Sequence, residues 1–273
     1  MLLPSLLALY VAARVLQLFA GRIPSLFIVS LHVVPAALFS LIHGSRVYGL
    51  RGILIFMALC LGIGSAFESL SLRTGFPFGH YAFTEVMGPK LFDLPILLAL
   101  AYVGMGYVSW ILGLTILGYR DQPLSGRRAV YLALVASFVM VTWDLSMDPV
   151  WADIDHAWIW LDGGPYFGVP VTNYFGWFLT VYIFYQCFAL YLKHERLCLT
   201  QATFSGSVIL FYGVSAAGNL LAIAPPSLGT SFVDASGKQW LIGDILWASR
   251  VVSLLVMLPF SLIAWARTLE SGR

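Results

Sequence analysis

Eight apolar stretches, each about as long as a bilayer is thick, constrain this chain more than any other feature. A helix needs about 20 apolar residues to cross the hydrocarbon core. The sequence offers Leu2–Ala20, Ser25–Ile42, Gly52–Leu72, Leu94–Leu117, Ala129–Val150, Val171–Leu192, Phe204–Ile223 and Ile245–Ala266. With 60% of 273 residues hydrophobic and 10% charged, against roughly 25% charged in a soluble domain, the chain needs lipid as its solvent. The expectation is an all-α fold: a polytopic transmembrane helix bundle of about eight spans, one integral membrane domain over residues 1–273. A net charge of +2 with no basic run argues against a nucleic-acid partner. The N-terminus has no basic residue before Arg14 and no small-residue cleavage site, so Leu2 onward reads as a retained helix.

Short connections favour one compact bundle. Three linkers are longer, Arg73–Asp93, Trp151–Pro170 and Ala224–Asp244, and with eight spans they emerge on one side. Arg46, Arg51, Arg120, Arg127, Arg128, Lys193, Arg196, Arg267 and Arg273 fall on the other side, while the linker side has Arg22, Arg73, Lys90 and Lys238. The excess of basic residues marks the cytoplasmic face, which puts both termini in the cytoplasm and the long linkers outside. Cys60, Cys187 and Cys198 have no metal or redox spacing and read as small buried apolar residues.

An ionisable group inside a span costs roughly 2.5 to 3.5 kcal/mol on insertion scales, so each one is a functional candidate. Arg14 lies late in the first span, His32 early in the second, Glu68 late in the third, Asp144 and Asp148 late in the fifth, and Asp244 and Arg250 open the eighth. Late in an odd span and early in an even one are the same depth. All seven therefore fall in one leaflet, joined by Asn173 at the start of span six and Asn219 near the end of span seven. Asp144 and Asp148, four apart, share a helix face. Two carboxylates that close in a poor dielectric resist double ionisation, so the pair should keep a proton and serve as a Brønsted acid. Glu68 is a third member or the base that takes the proton back. The competing reading makes these acids structural ion-pair partners of Arg14 and Arg250. Pro149 is expected to end its helix and free carbonyls near the site.

Trp143, Trp151, Trp158, Trp160, Tyr166, Phe167, Tyr174 and Trp177 gather at the same level, either as an interfacial belt or as π-faces able to stabilise a cation. Asn173, Trp177 and Thr180 share a helix face, with Asn173 orienting a water or capping the helix. The segments 74–84 and 163–171 mix Gly and Pro with aromatics, which suits ordered turns that cover an apolar cavity. His80 and His156 have no metal-ligand spacing, so no metal site is expected. Gly62-Ile-Gly64 reads as close helix packing.

Glu68 with Thr74-Gly-Phe-Pro-Phe-Gly-His-Tyr81, then Trp143-Asp-Leu-Ser-Met-Asp-Pro-Val150, then Trp158-Ile-Trp160 and Gly164-Pro-Tyr-Phe-Gly-Val-Pro-Val-Thr-Asn-Tyr-Phe-Gly-Trp177, resembles the membrane carotenoid-biosynthesis hydratase family, which includes carotene and bisanhydrobacterioruberin hydratases. The likeness runs from the third span into the sixth; Phe83 and Tyr174 stand where the pattern has Tyr and Phe. The resemblance implies a bacterial or archaeal cell-membrane enzyme that adds water across the terminal 1,2 double bond of a linear carotenoid, with no cofactor. Hydrating a trisubstituted alkene needs a proton donor, shelter for a tertiary cation and a placed water. Asp144 or Asp148 is then the donor, with Glu68 and Asn173 directing the water. Trp143, Trp177, Asn173, Tyr81, Tyr166, Phe167 and Asn219 are the substrate-binding candidates.

Three other readings stay open. A proton-initiated terpene cyclase would quench the same cation with an internal alkene, leaving the mass unchanged. A magnesium-dependent prenyltransferase would use Asp144 and Asp148, or Asp153 and Asp155, around a diphosphate-bound metal, but this side is poor in Lys and Arg. A transporter or lipid-binding scaffold would use the buried charges as a proton relay, although no inverted repeat is evident.

Overall fold

The computed structural model describes residues 2–19, 22–119, 124, 126–195, 205–224 and 229–270. Ala20, Arg120, Arg196, Cys198, Phe204, Arg273 and residues 225–228 of the third linker lie outside the described residues. The helices in chain order are α1 Leu2–Leu16, α2 Ser25–Thr74, α3 Ile96–Ile116, α4 Gly126–Pro149, α5 Val171–Glu195, α6 Ser205–Asn219, α7 Ile242–Val252 and α8 Leu258–Glu270. A π-helical turn, Ser253–Met257, joins the last two into one rod.

Among the described residues, six helices are long and apolar enough to cross a membrane. One is α2, whose 50 residues would extend about 75 Å at 1.5 Å per residue, more than twice the hydrocarbon thickness. It is divided at Gly49, where φ 71° and ψ 169° leave the helix. Its two arms carry the second and third expected spans, and α6 contributes a shorter segment of 15 described residues. The loop expected between Ile42 and Gly52 is thus helical apart from one residue. A left-handed φ is open to glycine because it has no Cβ.

The core forms around α3, which packs on α2, α4, α6 and α8 and encloses Tyr107, Val108, Trp110 and Leu112 completely. Helices in lipid associate through close backbone approach. A Cβ on Gly104 would stand 2.9 Å from that of Ala36 on α2, and there Ser40 Oγ donates to Gly104 O at 2.9 Å. On the outside Phe138, Phe175, Leu255 and Leu262 are exposed, as an apolar solvent requires.

Each long linker carries strands. β1 (Tyr81–Phe83) pairs antiparallel with β4 (Trp158–Trp160), Tyr81 opposite Trp160 and Phe83 opposite Trp158. β2 (Lys90–Leu91) pairs with β3 (Leu94–Pro95), and β5 (Ser231–Val233) with β6 (Gln239–Leu241). The first two linkers are tied by β1 and β4, and Phe167 of the second packs 5.3 Å from Trp240 of the third, so all three meet at one end of the bundle. There α-helical geometry ends at Pro149, as expected, but the chain does not leave the axis: Val150–Ile154 forms a wider π-helical turn. Proline has no N–H to offer the carbonyl four residues back. That carbonyl, Leu145 O, accepts instead from Tyr166 Oη at 3.4 Å.

Candidate active site

Four helices and the β1–β4 pair deliver the acids and their donors to one place. Asp144 and Asp148 stand one turn apart on α4, both 1% exposed. The start of α5 sets Asn173 beside them, its Nδ2 donating to Asp148 Oδ2 at 2.5 Å and to Asp144 Oδ2 at 3.3 Å. Trp158 Nε1, on β4, donates to Asp148 Oδ1 at 2.9 Å. Glu68 enters from the second arm of α2, accepting from Tyr102 Oη of α3 at 2.7 Å on Oε1 and from Tyr81 Oη of β1 on Oε2. Burial, and next the facing Glu68, push the Tyr81 phenol up, so it stays a donor.

No arginine or lysine pairs with these acids among the described residues. The ion pairs there are Arg51 with Glu195, Lys90 with Glu85, Arg267 with Glu270, and His80 with Asp162 if the histidine is protonated. Arg14 donates to Ser215 O at 2.8 Å and to Asn219 Oδ1, while Arg250 donates to Ala222 O at 3.0 Å. The reading of the acids as structural partners of these two arginines therefore finds no support. A buried carboxylate left unpaired costs several kcal/mol; these are held by neutral donors, each contributing about 1.5–3 kcal/mol to a charged acceptor.

Aromatic rings close the space around them. Trp177 of α5 stacks on Tyr102 with centroids 4.6 Å apart and planes 5° from parallel, and Tyr81 packs 5.1 Å from Trp160. Gly64, one turn before Glu68, faces the Tyr102 ring, and a Cβ there would sit in ordinary contact with it at 3.4 Å. Gly62 approaches nothing among the described residues, so of Gly62-Ile-Gly64 only Gly64 has a neighbouring helix in contact. Gly176 seats the first linker, where a Cβ would meet Phe78 at 2.7 Å and the Pro77 carbonyl at 2.9 Å. Glu68, Asp144, Asp148, Asn173, Trp143 and Trp177 all line the resulting pocket of about 40 Å³, under the β1–β4 pair. That is far below the roughly 300–1,000 Å³ of a drug-sized ligand site.

Three expected binding residues are elsewhere. Tyr166 packs against Tyr174, with centroids 5.7 Å apart, and bonds Leu145 O. Phe167 lies on Trp240. Asn219 donates to Ser146 and Ser253 and accepts from Arg14, forming a second polar cluster with Arg14 and His32. Asp244, counted with the converging groups, is exposed, and His80 pairs with Asp162 at the surface at 2.6 Å. Equal depth therefore holds two separate clusters, because depth says nothing about direction around a helix axis. The sequence reading missed Tyr102. It lies early in its span at the same depth as the acids, and placing tyrosines as well as charges by depth would have found it.

A sequence model of carotenoid biosynthesis proteins matches residues 24–230 of the chain. The chain is also similar to the bisanhydrobacterioruberin hydratase of Haloarcula japonica, 32% identical over 114 residues, which are 41% of this chain and 36% of that protein. The match thus spans about a third of the relative's length. No solved structure matches.

Proposed function

The chain belongs to the carotenoid biosynthesis protein family, and on that premise we propose that it is a hydratase needing no cofactor, adding water across the terminal 1,2 double bond of a linear carotenoid end group. The observation that carries this reading is a set of three buried carboxyl groups, held by neutral donors and enclosed by aromatic rings. The activity in the relative's name, hydratase, supports it.

Among the described residues Asp148 receives both Asn173 and Trp158, while Asp144 receives only the longer contact from Asn173. Strong donors favour the charged form of an acid. Asp148 is then the carboxylate and Asp144 holds the proton. The alkene π pair takes that proton at one carbon, forming a C–H bond and leaving a tertiary cation at the other. The faces of Trp143 and Trp177, which line the pocket, shelter the cation, and the Asp144 and Asp148 carboxylates balance its charge. Water, oriented by Asn173 and Glu68, forms the new C–O bond as its proton passes to Glu68. The basic residues of the opposite loops favour an outward-facing site with both termini in the cytoplasm.

A proton-initiated cyclase is the second reading, favoured by the largely apolar lining of the pocket beside the acids. Expression in membranes that accumulate lycopene, followed by mass analysis of the extracted pigment, tests both. Hydration adds the mass of one water per reacting end, and cyclisation leaves the mass unchanged. Pigment unaltered in mass and retention removes both readings.

A further inference from the structure

The acid pocket is small and mostly apolar, yet the proposed reaction consumes a water at every turnover. Beside it lies a much larger cavity of about 490 Å³ whose walls are partly polar and partly apolar, with room for on the order of ten water molecules. Arg14, His32, Asp155, Asn219 and Ser249 supply its polar walls, and at its rim His156 is exposed. Two buried nitrogens on these walls, Arg14 Nε and His32 Nε2, have no hydrogen-bond partner among the described residues, and both residues are only 8% exposed. Buried polar atoms of this kind are ordinarily satisfied by water. A third space of about 20 Å³ also touches Arg14, His32 and Asn219, and shares Ala101 and Trp143 with the acid pocket. Met147 and Trp151 line all three spaces. They are four apart, with Trp151 carried by the π-helical turn that follows Pro149.

We propose that the polar cavity walled by Arg14, His32, Asp155, Asn219 and Ser249 is the water store of the acid pocket, and that Met147 and Trp151 form a septum metering single waters to the cation. The inference rests on the hydratase reading. A dry acid pocket keeps the proton on the donor and lets the alkene bind. A store one side-chain layer away supplies the nucleophile without flooding the rings. The cation has two fates. Water through the septum forms a C–O bond and releases a proton to Glu68, giving the tertiary alcohol. If none arrives, a methyl C–H next to the cation gives its proton to a carboxylate and its bonding pair closes a new double bond, giving a positional isomer of the starting alkene.

The test is the ratio of alcohol to isomer formed from lycopene in membranes, for the wild type, Ser249→Leu and Ala222→Phe. Both substitutions put bulk into the polar cavity and leave the acid pocket untouched. The ratio belongs only to molecules that turn over, so partial misfolding does not move it. The expected result is a fall of about tenfold in the ratio, corresponding to about 1.4 kcal/mol between the two exit barriers. A ratio equal to wild type in both variants overturns the proposal. Loss of all conversion by both also overturns it, since a plug outside the septum leaves proton transfer in place. A wild type that forms no alcohol sinks the hydratase reading instead, a result visible before any variant is made.

Discussion

Removing the Tyr102 hydroxyl is the sharpest probe of how the site works. In Tyr102→Phe the ring still stacks on Trp177 at 4.6 Å and still covers Gly64, so shelter for a cation is unchanged. What is lost is one donor, 2.7 Å from Glu68 Oε1, leaving Tyr81 on the other oxygen. A hydrogen bond to a buried charged group contributes about 1.5–3 kcal/mol. If Glu68 has to be a carboxylate when water attacks, the hydration rate falls by about 10- to 150-fold. Glu68→Gln supplies the control, because a phenol donating to a neutral amide contributes only about 0.5–1.5 kcal/mol. The cost of Tyr102→Phe should therefore shrink by about 1–2 kcal/mol when Glu68→Gln is already present, a coupling read from a double-mutant cycle. The assay is the initial rate of alcohol formation from lycopene in membranes, normalised to protein. A Tyr102→Phe rate within about twofold of wild type, or an equal cost in both backgrounds, refutes the role of the phenol in holding Glu68 charged.

Asp144→Asn is expected to lower hydration by about 10²- to 10⁴-fold, the span of general acid catalysis, and Asp148→Asn by less; rates in the reverse order would move the proton to Asp148. A disulfide between Ala82→Cys and Ile159→Cys, which face each other across β1 and β4, should stop turnover reversibly if an end group enters by parting these strands. Full activity in the oxidised, cross-linked protein would mean another entry. Asp155, beside the polar cavity, is pushed up to about 7 by burial, with the positive Arg14 opposing. The folded state then binds the proton more tightly than the unfolded chain, so this group's contribution is fully present below the ordinary carboxylate value of 3.8 and is lost as pH rises from there towards about 7. Thermal melts in detergent should show wild-type stability falling across that interval relative to Asp155→Asn. Parallel curves would contradict it.

The axial level of each group was legible in the sequence, and its direction was not. Span boundaries fix how deep Glu68, Asp144 and Asn173 lie, and antiparallel alternation brings them level. But α3 is apolar on every side and enclosed by neighbours, so its pattern has no phase from which to tell that Tyr102 turns towards Glu68. The same limit merged Arg14, His32 and Asn219 with the acids, although they face a separate cavity. The β1–β4 pair was hidden for another reason. Three-residue strands have too few alternations to register as a period, and their pairing joins Tyr81 to Trp160 across two helices, α3 and α4. The unbroken winding past Pro149 also followed from context, since Tyr166 takes the bond that the proline cannot make.

The bridge from Asn173 to both aspartates has a bearing on how the protein is made. α4 leaves the ribosome with two carboxyl groups on one face, while the amide and the indole that satisfy them are encoded 10 to 29 positions later. Until Trp158 and α5 are synthesised, nothing in the nascent chain supplies those donors. α4 should therefore remain loosely inserted, neutral on both acids, and settle only once the next hairpin has entered. Chains truncated between Asp155 and Val171 are expected to be extracted from membranes and degraded, whereas chains that extend through α5 are retained.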